Sequence, residues 1–417
     1  MKKIIIEGKH ALSGKIKIGG AKNSVVALLP AAIMSDGIVE ITNVPNISDK
    51  DALIEILSVL NAKVDNQDSR IVIDATQVHN VTITEDLSTK LRASYYFMGA
   101  LLGKFKYVEI CFPGGCNIGA RPIDLHLKGF EALGAEITQC EDKYVIQAKE
   151  LVGTDIHLDF ASVGATINIL LAAVMAKGKT TICNAAKEVE IGNIADLLNR
   201  MGAKITGAGT DIIEIEGVSS LHGAGIDVIP DRIEAGTYII MGALLGDNLA
   251  IEGVNAGHLT ILFQKLEEMG VDYSIKEDIV YINKAKKLKP TNIRTVVYPG
   301  FPTDLGQPMA VLLTQAEGTS DFVETIFENR MGHVKYLNKM GAHIEADCEH
   351  AIITGKTELH GEEIVATDLR SGAALVTAGL IADGVTVISD VEHILRGYER
   401  IITKLSDVGA NVKIVEI

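Results

Sequence analysis

One stretch of the chain gathers groups that could do chemistry together: Pro113-Gly114-Gly115-Cys116-Asn117-Ile118-Gly119-Ala120-Arg121-Pro122-Ile123-Asp124-Leu125-His126. Its glycines free the backbone for positive φ or for close approach to a ligand. A thiol in such a loop does not read as core packing. Arg121, Asp124 and His126 follow within ten residues, so a transferable proton stands beside an anion-binding group. That combination suits an active-site lid. The plain alternative is a glycine-rich turn with a half-buried cysteine.

A second set of candidates recurs along the chain. Lys22-Asn23, Arg92, Ser162, Asp231-Arg232, Asp304 and Asp368-Leu369-Arg370-Ser371 each open a run that reads as a helix. Taking positions 22, 92, 162, 232, 304 and 370, the steps are 70, 70, 70, 72 and 66. Six N-caps would account for the serine and the aspartates, and Asp304 after Pro302-Thr303 fits a plain cap. Lysine and arginine do not fit, because the positive end of a helix dipole disfavours cations. Lys22, Arg92, Arg232 and Arg370 therefore need an anion, either an acidic side chain or a ligand; Asp231 could serve Arg232. Helix N-termini gathered at one cleft would themselves favour a phosphate or carboxylate.

The elements that must position these residues come from an internal repeat. An apolar-Gly-Ala-polar-apolar motif occurs at Leu60–Val64, Leu133–Ile137, Met201–Ile205, Met269–Tyr273, Met340–Ile344 and Val408–Val412. Its second positions, 61, 134, 202, 270, 341 and 409, are separated by 73, 68, 68, 71 and 68 residues. Such regularity marks a repeat of about seventy residues. The third copy is the clearest. Asp155 to Phe160 alternates like a strand, Ser162 to Ala176 reads as a buried helix, and Thr180 to Cys183 is a second strand. Ile194, Leu197, Leu198 and Met201 follow amphipathic-helix spacing, with Gly202 where a left-handed C-terminal residue is wanted. Lys204 to Thr206 and Ile212 to Glu216 pair as a hairpin. The unit is βαβαββ. In the first copy Ser48 and Asp51 form a capping-box pattern.

At 417 residues, two domains are the natural expectation. An apolar fraction of 47% and a charged fraction of 22% suit a soluble globular protein. The net charge of −15 repels nucleic acid and anionic membranes. Five cysteines without regular spacing suggest neither a disulfide framework nor a zinc site. Cys111 and Cys183 lie in apolar runs and read as core; Cys140 and Cys348 receive no role. A charge at Glu7, after Ile4-Ile5-Ile6, comes too soon for a signal-peptide core. No apolar stretch approaches a membrane span, so the expected compartment is the cytoplasm. Gly207-Ala208-Gly209 fails as a dinucleotide fingerprint because a strand rather than a helix follows it.

Taken in order, Lys22-Asn23, the Cys116 loop through Arg121-Pro122-Ile123-Asp124-Leu125-His126, Ser162-Val163-Gly164-Ala165-Thr166, Asp231-Arg232, Phe301-Pro302-Thr303-Asp304, Phe327-Glu328-Asn329-Arg330, Asp368-Leu369-Arg370-Ser371-Gly372 and Arg396-Gly397-Tyr398-Glu399-Arg400 resemble the UDP-N-acetylglucosamine 1-carboxyvinyltransferase family. These are enolpyruvyl transferases of the EPSP synthase superfamily that open peptidoglycan synthesis. The resemblance covers essentially the whole chain. It implies an α/β (α+β prism) fold: a two-domain inside-out α/β barrel of six βαβαββ repeats, helices inside and sheets outside. The implied domains are 22–229, carrying the Cys116 loop, and 1–21 with 230–417, with the active site between them. The related family that acts on shikimate phosphate shares the fold but usually has serine after the lysine and lacks the cysteine loop, so Asn23 and Cys116 favour the sugar-nucleotide family.

The implied reaction moves the enolpyruvyl group of phosphoenolpyruvate to the 3-hydroxyl of UDP-N-acetylglucosamine and releases phosphate, by addition and elimination. Cys116 would be the general acid, its thiol also open to adduct formation, and Asp304 the base; Lys22 and Arg396 complete the implied catalytic set. Phosphoenolpyruvate would meet Lys22, Asn23, Arg121, Arg330, Arg370 and Arg396. UDP-N-acetylglucosamine would meet Arg92, Arg121, Pro122, Ile123, Asp124, Leu125, Ser162, Val163, Gly164, Asp304 and Ile326. His126 would orient the loop. Some family members carry lysine where Phe160 stands here, so Arg92 or Arg121 is expected to hold the diphosphate instead. No cofactor or metal is expected, and the partners are two small anionic substrates. Another enolpyruvyl transferase of the same fold and a catalytically silent nucleotide-sugar binder stay open as alternatives, and oligomeric state is open too.

Overall fold

The computed structural model describes residues 2–114 and 122–416. The chain divides into two compact units. One combines Met1–Gly19 with Pro230–Ile417, and among the described residues the other runs from Gly20 to Ile229. Each has its own hydrophobic cluster.

The third repeat shows how the pattern becomes structure. Strand Asp155–His157 leads into helix Val163–Ala173, which is followed by strand Lys179–Cys183, helix Val189–Arg200 and the hairpin Lys204–Thr206 with Ile212–Glu216. Lys179–Cys183 lies parallel to Asp155–His157 and antiparallel to Ile212–Glu216. The helix Val163–Ala173 is buried all round from Gly164 onward, as expected for a helix with no polar face. The strand Ile212–Glu216 alternates exposed and buried positions, so its sheet shows one face to solvent. Helices therefore fill the inside of each unit and sheets form its outside. No sheet closes on itself among the described residues.

The recurring motif marks one backbone conformation. Asn61, Gly134, Gly202, Gly270, Gly341 and Gly409 all have positive φ, between 66° and 104°. Each reverses the chain after the repeat's second helix, where glycine avoids the Cβ clash and asparagine, whose short side chain hydrogen-bonds nearby, tolerates it.

Strands at the ends of the units complete the sheets. Ala224–Asp227 pairs parallel with Ile38–Thr42 of the first repeat. Lys15–Lys17 supplies the parallel neighbour of Leu249–Glu252, and Lys2–Glu7 sits between Val385–Ser389 and Asn411–Glu416.

Four details differ from the sequence reading. The second repeat is irregular: its sheet has three strands, and its parallel neighbour shrinks to the bridge between Ile83 and Ile110. Arg92 opens a 3-10 turn, Arg92–Tyr95, before the helix Tyr96–Phe105 begins. Ser48 is the first residue of helix Ser48–Val59 after Ile47, and no side chain caps that end. Cys183 is half-buried at the end of its strand, whereas Cys111 is buried and its thiol is pushed up by burial.

Candidate functional site

In the unit running from Gly20 to Ile229, the cation at the first helix start has an acid beside it. Lys22 is the first residue of helix Lys22–Ala32, and its Nζ lies 3.0 Å from Asp49 Oδ2. Asn23 follows it, half-buried. Asp49 belongs to the first turn of Ser48–Val59, where a helix dipole favours an anion.

A second group gathers around His126, buried in the helix Asp124–Ala132. Asn168 Oδ1 accepts the Gly99 amide at 2.8 Å, so its Nδ2 donates to His126 Nδ1 at 2.9 Å. The imidazole is edge-on to Tyr95, with ring centroids 4.9 Å apart. Burial, helped by the Arg92 charge, lowers the His126 pKa to about 3, so the ring is neutral and its proton sits on Nε2. Arg92 lies 5.9 Å from the centre of the Tyr95 ring. Gly164 packs against both rings: a Cβ there would stand 2.8 Å from His126 Cε1 and 2.8 Å from the Tyr95 hydroxyl. Ser162 caps Val163–Ala173, its Oγ accepting from the Ala165 amide at 3.3 Å. Ile123 is buried, Leu125 and Val163 are half-buried, and Pro122 and Asp124 are exposed. Phe160 is 48% exposed, so it fills no core position. Cys116 and Arg121 lie outside the described residues.

The other unit holds a different arrangement. Asp304 is the second residue of helix Thr303–Thr314, and Pro302 precedes that helix without a side-chain cap. The cap reading of Asp304 therefore fails. Its carboxylate turns to two guanidinium groups instead: Oδ1 accepts from Arg330 Nη2 at 2.8 Å and Oδ2 from Arg370 Nη2 at 3.0 Å. Asp231 and Asp368 are true caps, each accepting two amides of its own helix.

Both arginines are buried, at 5% and 3% exposure. Burial pushes the Asp304 carboxyl up, but Arg370 and then Arg330 override it and hold the group well below the usual carboxylate range. Burial likewise works against the Arg370 charge, and Tyr398 and Asp304 more than offset it. Arg370 also lies over the Tyr398 ring at 5.3 Å, and the Tyr398 hydroxyl meets Thr237 Oγ1 at 3.0 Å. Arg330 donates through Nη1 to Thr303 Oγ1 at 2.7 Å and stacks on Phe327 at 5.0 Å. Its Nε is buried with no hydrogen-bond partner among the described residues. Two guanidiniums converging on one carboxylate present planar donor forks, which suit an anion with a planar carboxylate. Arg396 ends the short helix Glu392–Leu395, two residues before Tyr398, and Ile326 is half-buried beside Phe327.

The sequence reading missed Glu324, Thr303, Tyr398, Asp49, Tyr95 and Asn168 as organising residues. Thr303 and Tyr398 at least lie inside motifs already singled out, whereas Glu324 and Asn168 carry no local signal. Among the described residues, no cluster of three His, Cys, Asp or Glu could hold a metal, and no helix is long and apolar enough to cross a membrane.

Known proteins share this framework. The sequence pattern of EPSP synthase (3-phosphoshikimate 1-carboxyvinyltransferase) matches residues 6–405. The enolpyruvyl transferase NikO from Streptomyces tendae superposes with a TM-score of 0.91 at 26% identity, covering 99% of both chains. EPSP synthase from Acinetobacter baumannii shares the fold, with a TM-score of 0.78 at 18% identity over the full length of both chains. UDP-N-acetylglucosamine 1-carboxyvinyltransferase 2 of Bacillus cereus is 51% identical over 413 residues, 99% of this chain and 96% of that protein. Its Bacillus subtilis namesake is 50% identical over the same span and the same shares. A likeness of that depth, running through every repeat of both units, makes the chain a member of the UDP-N-acetylglucosamine 1-carboxyvinyltransferases within the EPSP synthase family.

Proposed function

We propose that the chain transfers the enolpyruvyl group of phosphoenolpyruvate to the 3-hydroxyl of UDP-N-acetylglucosamine and releases phosphate, the entry to peptidoglycan synthesis. The observation that carries this reading is the Arg330–Asp304–Arg370 cluster: a carboxylate between two buried arginines whose planar forks fit a substrate carboxylate, in a chain that is acidic overall. The half-identical relatives named for this reaction support it.

In this reading the sugar hydroxyl attacks C2 of phosphoenolpyruvate while a proton is added to C3. Cys116 gives that proton, because a thiol with an ordinary pKa near 8.5 is protonated at neutral pH yet parts with its proton readily. Asp304 takes the hydroxyl proton. Both of its oxygens are engaged by guanidiniums, and a carboxylate so held is a poor base. The carboxylate of phosphoenolpyruvate therefore competes for Arg330 and Arg370, and each contact that it takes over restores basicity to Asp304. In the elimination the Cys116 thiolate takes a proton back from C3, the C2–C3 double bond re-forms and phosphate leaves, with Lys22, Arg121 and Arg396 as its cationic surroundings.

Phosphate release tests the proposal. Purified protein with phosphoenolpyruvate should release phosphate when UDP-N-acetylglucosamine is added and should not when shikimate 3-phosphate is added. The reverse preference would move the chain to the shikimate branch, and binding of UDP-N-acetylglucosamine without turnover would make it a silent binder.

A further inference from the structure

Glu324 follows the strand Gly318–Val323 and is 2% exposed. A buried carboxylate is costly unless its oxygens are met by donors, and here both are. Oε1 accepts the Thr295 hydroxyl at 2.9 Å, the Ile326 amide at 2.8 Å and the Phe327 amide at 3.3 Å. Oε2 accepts the Thr303 hydroxyl at 2.7 Å.

That last contact has a directional consequence. A threonine hydroxyl has one proton. With it given to Glu324, Thr303 Oγ1 can offer Arg330 only a lone pair, and Arg330 Nη1 donates to it at 2.7 Å. The other arm of the same guanidinium reaches Asp304. The amides of Ile326 and Phe327 are tied to the opposite oxygen, and the Phe327 ring lies 5.0 Å from the Arg330 guanidinium carbon. One carboxylate thus fixes both the hydrogen-bonded edge and the stacked face of Arg330.

We propose that Glu324 is a positioning residue for the transfer reaction: through Thr303 and Phe327 it sets the orientation in which Arg330 receives the carboxylate of phosphoenolpyruvate. This inference rests on the function proposed above.

The test is Glu324→Gln beside Thr303→Val, with steady-state kinetics for each substrate and calorimetric binding of phosphoenolpyruvate in the presence of UDP-N-acetylglucosamine. Glutamine keeps a carbonyl for the Ile326 and Phe327 amides but turns an NH2 toward Thr303, whose proton must then point elsewhere. The KM and Kd for phosphoenolpyruvate should rise about tenfold, the size of one charge-assisted hydrogen bond. The KM for UDP-N-acetylglucosamine should stay within about twofold on the same reasoning. Thr303→Val should reproduce the effect, and the double variant should be no worse than either single one, because both cut the same chain of contacts. Thr303→Val alone decides the matter should Glu324→Gln not fold. A fall in melting temperature with both KM values unchanged, an equal rise in both, or additive losses would overturn the proposal. Normal wild-type turnover beside an unaffected variant would refute the role of Glu324 alone. A wild-type protein that neither bound phosphoenolpyruvate nor released phosphate would refute both readings.

Discussion

The two units build the same repeat and use its helix starts differently. Around His126 a potentially charged ring is kept neutral by burial and by an asparagine donor, and Gly164 lets it pack tightly. Around Asp304 a carboxylate is paired with two guanidiniums in a buried cluster. The first arrangement packs a neutral ring, whereas the second pairs buried charges. The difference teaches that position in a repeat fixes where a side chain stands, while its partners decide whether it caps, packs or carries charge. Ser162, Asp231 and Asp368 cap their helices; Asp304, two residues past the cap position of its own, does not.

The contrast is broken most severely by removing the charge at Asp304. Asp304→Asn should lower kcat about a thousandfold, within the range for loss of a general base, while phosphoenolpyruvate still binds the two arginines. A variant with normal kcat would reduce the cluster to a structural ion pair. Cys116→Ser probes the proposed acid. UDP-N-acetylglucosamine binding, read by calorimetry, should persist while kcat falls about a hundredfold or more, because a serine hydroxyl is a far weaker acid.

Smaller effects sharpen the packed side. Gly164→Ala would place a methyl group within 2.8 Å of both His126 and Tyr95. Overpacking of that kind should cost about 1–3 kcal/mol of stability, measurable by denaturant titration, and an unchanged midpoint would show that the rings can give way. The pH dependence of stability tests the neutral imidazoles. His126 is held at about 3 and His333, buried beside Arg330, at about 4, each chiefly by burial. An exposed histidine titrates near 6.5. As pH falls below 6.5 the unfolded chain takes up protons that the folded rings refuse, so stability present at neutral pH is lost on the way down to those folded values. At pH 5 the His126 share of this loss is about 2 kcal/mol. His126→Gln should therefore show a shallower drop in melting temperature between pH 7 and pH 5, and an equally steep drop would mean that the ring is already charged.

Much of the framework was legible in the residues. The hairpin Lys204–Thr206 with Ile212–Glu216 and the positive φ of the six motif positions follow from local sterics, which a short window of sequence contains. The Ser48 capping box failed because the helix begins one residue earlier than the pattern required. The irregular second repeat is not legible in the residues because 3-10 turns are frequent at the ends of α-helices, so the turn Arg92–Tyr95 reads as a helix start.

What the sequence determined by itself was the repeat, its period, and the presence of unpaired-looking cations at recurring helix starts, since these depend on neighbours a few residues apart. Only the tertiary structure decided which acid meets which base. Asp304 joins Arg330 across 26 residues and Arg370 across 66, and Glu324 reaches Thr303 across 21. Charge pairing inside a protein depends on distance and burial in space, and no local preference along a chain encodes either.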